Sequence, residues 1–109
     1  MPPSPSVDIE AEIRFLSTTE GGGPGPYRSR LNTTHDFGIE ETLVDALHVF
    51  PDVAEIRPGD TVRSQMSFLV PESLRDRLYD GFTFTVQEAR RIIGHGRVTK
   101  ILNEDLRRP

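Results

Sequence analysis

Between Asp8 and Phe15 every second residue is apolar: Ile9, Ala11, Ile13 and Phe15 fall on one side, and Asp8, Glu10, Glu12 and Arg14 on the other. A period of two belongs to an extended strand with one buried face, because successive side chains leave a strand in opposite directions. The same period returns at Val62, Met66, Phe68 and Val70, with Arg63, Gln65 and Ser67 opposite, and at Phe82, Phe84 and Val86, with Thr83, Thr85 and Gln87 opposite. A further strand runs from Arg91 to Leu102, interrupted by Gly94-His95-Gly96, and glycines inside a strand mark a bulge or a close backbone approach. Leu43 to Phe50 reads as another strand, although Leu43, Leu47 and Phe50 would also share one helical face. Ile13, Phe15, Met66, Phe68, Phe84 and Val86 are expected to meet in one core.

Turn signals separate these runs: the Gly/Pro stretch Gly21 to Pro26, the acidic turn from Asp36 to Glu41, Pro51-Asp52, and Pro58-Gly59, which suits the centre of a type II turn. Pro71 to Leu78 differs, since Leu74 and Leu78 stand at i,i+4 and predict a helical turn between strands. Short strands with frequent turns predict a closed or two-layered antiparallel architecture. Residues 1–7 read as a disordered leader, 8–103 as one barrel domain and 104–109 as a tail, with no repeat or linker between them.

The chain has 109 residues, room for one domain and one small core. It has no Cys, which excludes a disulfide scaffold, a thiolate zinc site and a cysteine nucleophile, and leaves the cytoplasm as the expected compartment. No apolar run reaches the ~18 residues of a membrane span. The net charge of −4 argues against a generic nucleic-acid binder, but it is unevenly spread. Residues 1–60 hold 11 acidic and 4 basic side chains, whereas residues 61–109 hold 6 acidic and 9 basic, so a local cationic surface is open to the second half.

His35, His48 and His95 are too scattered for a metal motif, and no cofactor or metal is expected. Thr33-Thr34-His35-Asp36 contains hydroxyls, an imidazole and a carboxylate, yet adjacency in sequence does not orient a nucleophile and base, and turn or strand-edge roles are the expectation. Glu10 and Glu12 share a wet strand face rather than an acid–base site. Arg90 and Arg91 with Arg97 and Lys100 are candidates for a cationic patch, and His95, between two glycines, for a close functional approach.

The order of segments is itself informative: Ile9-Glu10-Ala11-Glu12-Ile13-Arg14-Phe15-Leu16-Ser17, Glu20-Gly21-Gly22, Thr33-Thr34, Pro58-Gly59-Asp60, and Gly94-His95-Gly96-Arg97-Val98-Thr99-Lys100-Ile101-Leu102. Over residues 8–103 this resembles the third, C-terminal domain of bacterial elongation factor Tu. The resemblance implies a closed six-stranded antiparallel β-barrel, and a surface that in the family touches the T stem of tRNA, the nucleotide-binding domain and the exchange factor. Glu88 matches the family's acidic hairpin residue, and the hairpin departs from the family at Ala89-Arg90, where Gly-Gly is usual. The phosphate loop of a GTPase is absent: Gly21 to Pro26 lacks the Gly-Lys-Ser/Thr ending, and its prolines lack the N–H groups that cradle phosphate. Nucleotide binding and GTP hydrolysis by this chain alone are therefore not expected. The resulting expectation is a non-catalytic binding module for a protein partner or structured RNA such as tRNA, with Glu88, Arg90, Arg91, His95 and Arg97 as its candidate contact residues. Two alternatives stand beside it, a small enzyme with a pocket at the barrel mouth and a relic domain without a specific partner.

Overall fold

The computed structural model describes residues 6–109; the greater part of the expected leader, residues 1–5, lies outside them. Six strands form one closed antiparallel barrel: β1 (Ile9–Phe15), β2 (Leu31–Asp36), β3 (Leu43–Val49), β4 (Thr61–Phe68), β5 (Thr83–Glu88) and β6 (Arg91–Ile101), in the spatial order β1-β4-β3-β2-β5-β6. Closure pairs every strand with two neighbours, although the β2–β5 ladder covers only Thr34 to Asp36 of β2. Among the described residues helix is confined to short 3-10 turns, and none is long and apolar enough to cross a membrane.

Alternation sets the register. Ile9, Ala11, Ile13 and Phe15 are fully buried while Glu12 and Arg14 face solvent, and all six expected core side chains are buried. In β3 the alternation is Val44, Ala46, His48 and then Phe50 inward, so the helical alternative fails: Leu43 is 51% exposed and Leu47 only half-buried. Val70, expected to continue the β4 row, is exposed because the strand ends at Phe68 and the chain turns into the 3-10 helix Pro71–Leu74. Leu74 and Leu78 are both buried, as their spacing implied. Only the first lies in the helix, since Leu78 bridges to Arg107 instead.

Ladder contacts explain the glycines. The register shifts in β6 fall at Ile93 and Thr99, beside the glycine pair rather than on it. Gly96 is a close approach: a methyl there would overlap the Phe84 ring and come within 2.9 Å of Ile13 Cδ1. Gly59 takes a φ of 97°, and the Asp60 N–H donates to the Arg57 carbonyl at 3.0 Å, which is the turn that Pro58-Gly59 implied.

Two features hold the barrel's ends. The buried Asp8 carboxylate accepts the Phe68 N–H at 2.8 Å and the Asn103 side-chain amide at 2.9 Å, tying β1 to the ends of β4 and β6. The segment expected as a tail is packed against the barrel: Leu106 is buried in the core, and the Arg108 N–H donates to the Leu78 carbonyl at 2.7 Å.

Candidate functional site

The β5–β6 hairpin carries all five candidate contact residues. Its closing pair is Glu88↔Arg91, and the two residues between them, Ala89 and Arg90, have φ of 48° and 69°. Positive φ at both central positions is the type I′ turn, whose twist matches that of the flanking strands. The turn therefore keeps this shape without Gly-Gly, at a cost of ~1–2 kcal/mol for each side chain held in the left-handed region. Replacing Ala89 and Arg90 together by Gly is expected to raise the unfolding free energy by about 1–2 kcal/mol, after allowing for the greater freedom of Gly in the unfolded chain. A urea midpoint that fails to rise, with the slope unchanged, would contradict the strained turn.

The hairpin does not gather its candidates into one pocket. Glu88, Arg90 and Arg91 stand exposed at the tip, while His95 and Arg97 lie farther down β6, opposite Thr85 and Thr83. At ~3.3 Å per residue, Arg91 and Arg97 are separated by roughly 20 Å along the strand. Arg97 approaches Glu12 at 3.8 Å, an exposed pair of little energetic weight. Arg91 reaches the Gly22 carbonyl at 3.4 Å, and among the described residues neither Arg90 nor Arg91 has an acidic partner. The buried Tyr27 hydroxyl lies beside the Gly23 backbone and within reach of the charges of Glu88 and Arg91. Burial first, and then the negative charge of Glu88, push the Tyr27 phenol above its ordinary range.

Two outer grooves flank the hairpin. The first, of about 570 Å³, crosses β4, β3 and β2 toward the hairpin tip and is lined by Asn32, Thr34, Asp45, Leu47, Leu69 and Glu88 among others. It opens because the β2–β5 ladder spans only Thr34 to Asp36, so the hairpin diverges from the first half of β2. The second, of about 490 Å³, lies over β1, β6 and β5 and includes Glu12, Arg14, Asp36, His95 and Arg97. Phe37 and Gly38 border this second groove.

The sequence reading missed a third constellation inside the barrel. His35 from β2 and His48 from β3 are both fully buried, with Nε2 atoms 2.8 Å apart. Elementary hydrogen-bond accounting fixes their protons. The Val44 carbonyl, 2.8 Å from His35 Nδ1, can only accept, so Nδ1 carries the hydrogen and His35 Nε2 is left as an acceptor. His48 then donates from Nε2 to His35, and its Nδ1 accepts from the Ser64 hydroxyl at 2.7 Å. Thr33 Oγ1 sits between the two Nε2 atoms, at 2.9 and 3.1 Å. Both rings are neutral in this arrangement.

Burial is the main reason both imidazoles resist protonation. It depresses His35 to about 4 against the weaker opposing pull of the Val44 carbonyl and the Asp45 charge, and it holds His48 well below the ordinary histidine range, with His35 adding to the effect. The pair sits midway in a run of rings. Tyr27 stacks on Phe15 with centroids 4.5 Å apart, Phe50 lies between Phe15 and His48, and His35 meets Phe84, which stacks on Phe37 at 4.6 Å. The hydroxyl–imidazole chain links β2, β3 and β4 inside the barrel, and Thr33 connects it to the lining of the first groove. Among the described residues no group of three or more His, Asp or Glu side chains is arranged to hold a metal ion.

In a comparison with known protein families, no family model matches this chain.

Proposed function

We propose that this protein is a non-catalytic binding module, built on a barrel similar to the C-terminal domain of elongation factor Tu, that engages a protein partner in a translation-related setting. The observation that carries the reading is the hairpin tip, where charged side chains stand beside an open groove on a turn held in a strained conformation. Strained turns cluster where a surface is used. The reactive residue types that do come together, His35, His48, Thr33 and Ser64, are consumed by one another inside the core. The acidic first half of the chain favours a protein over RNA, because phosphates are repelled by it.

Structured RNA is the second reading, and the unpaired Arg90 and Arg91 favour it. An affinity pull-down with and without RNase separates the two: recovery that survives RNase is the expected result, and recovery abolished by RNase moves the proposal to RNA. In the latter case Arg90→Ala with Arg91→Ala lowers tRNA affinity and flattens its salt dependence by ~0.7 to 0.9 in slope per lost phosphate contact. Failure to recover any specific partner would sink the binding-module reading altogether.

A further inference from the structure

Resting on the protein-binding reading, the geometry points to the groove across β4, β3 and β2 as the docking face, and to an apolar side chain flanked by Lys or Arg as the element of the partner that it takes. The groove's lining includes just two charged residues, Asp45 and Glu88, and both are acidic. Arg90 and Arg91 stand at the neighbouring tip but do not line it. Beside the buried Ala46 and Phe68, its large accessible apolar elements are Leu69, which is 73% exposed, and Leu47, half-buried on the strand between Asp45 and the end of β3. Leu43, across the β3 start, and Val70, after the β4 end, extend the apolar surface beyond the groove at 51% and 53% exposure.

Isolated exposed leucines are ordinary, but these cluster where two strand ends meet: the Leu69 N–H donates to the Asp45 carbonyl at 2.9 Å, fixing Leu69 beside the acidic residue. Over residues 46–48 β3 is paired on both sides, so no partner strand adds to the floor of the groove there. With recognition by side chains, an apolar anchor seated against Leu47 and Leu69 supplies affinity while Asp45 on β3 and Glu88 on β5 select flanking cations. A phosphate backbone meets only like charge in this lining.

Panning a phage-displayed library of random short peptides against the whole chain tests this directly. Wild type is expected to enrich peptides combining Leu, Ile or Phe with Lys or Arg, and Asp45→Lys with Glu88→Lys is expected to invert the charge preference to Asp and Glu. Leu69→Ser should weaken the selected wild-type peptides by roughly tenfold. All three positions are exposed, and circular dichroism and urea unfolding verify that the variants stay folded. No enrichment, enrichment without basic residues, or equal binding of wild-type-selected peptides to the charge-swapped variant overturns the assignment. These outcomes differ from loss of the binding-module reading itself, which the pull-down decides: a protein partner that survives RNase but is still retained by both groove variants removes this face and leaves the module.

Discussion

Lowering the pH from about 7.5 to about 5 is expected to remove at least about 2 kcal/mol from the unfolding free energy. The unfolded chain takes up a proton at each imidazole near the ordinary value of 6.5, whereas the folded chain refuses it: His35 titrates at about 4, and His48 lies well below its ordinary range. A group whose folded pKa is depressed gives its stability above the unfolded pKa and loses it as pH falls toward the folded value. Each pH unit between the two values is worth ~1.4 kcal/mol, and pH 5 lies roughly 1.5 units below the unfolded pKa, so His35 alone gives about 2 kcal/mol and His48 adds to it with the same sign. For a domain whose total stability is of the order of 5–15 kcal/mol, that is a large share.

Geometry supports the same sign. Each His35–His48 contact needs one donor and one acceptor, and a second proton would set two N–H groups against each other across 2.8 Å. The groups facing the pair are the Thr33 and Ser64 hydroxyls, the Val44 carbonyl and, more distantly, the Asp45 carboxylate. Urea unfolding at a series of pH values measures the effect. A flat stability over this range would mean that the rings are accessible or already charged, and His35→Leu with His48→Met should abolish the slope whatever it does to stability at neutral pH.

Phe84→Ala is expected to cost ~3–5 kcal/mol, because the ring is buried, stacks on Phe37 and fills the space that Gly96 leaves open. The reverse perturbation is informative too. Gly96→Ala should cost ~1–3 kcal/mol in the wild type, since the new methyl overlaps the ring and meets Ile13. Combined with Phe84→Ala, the same change enters the vacated space, so the pair should be non-additive by more than ~0.5 kcal/mol. Strict additivity in urea unfolding would mean that Gly96 is not there to accommodate Phe84.

The strands with apolar inward rows, β1, β5 and β6, were legible because their alternation is chemical as well as geometric. β2 was not, because its inward residues Thr33 and His35 are polar, and the segment announced itself only as a Thr-Thr pair before an acidic turn. Ser64 escaped from the inward row of β4 for the same reason. A usable signal did exist: His35 stands two residues before the buried Phe37, and His48 two residues from both Ala46 and Phe50, which puts each imidazole in the inward phase. What that phase could not supply was the neighbour, because pairing His35 with His48 and Ser64 requires the β2–β3–β4 order. The groove was hidden by the same ignorance of topology, since Asp45, Leu69 and Glu88 belong to three separate parts of the chain. The hairpin, by contrast, is local, and its residues lie where a two-residue turn had to place them.

Strand order also dictates when the barrel can assemble. The neighbours of β1 are β4 and β6, and none of its ladder partners precedes Thr61 in the chain. During synthesis the first strand therefore emerges with Ile9, Ala11, Ile13 and Phe15 and must wait, unpaired, until the chain has passed Thr61. Its second partner is completed only at Ile101. Long-range pairing of this kind places folding in the slower range, ~milliseconds to seconds, and exposes the waiting strand to association with other nascent chains. The alternating charges Glu10, Glu12 and Arg14 on the wet face of β1 then serve a second purpose, keeping an apolar ribbon in solution until its partners arrive.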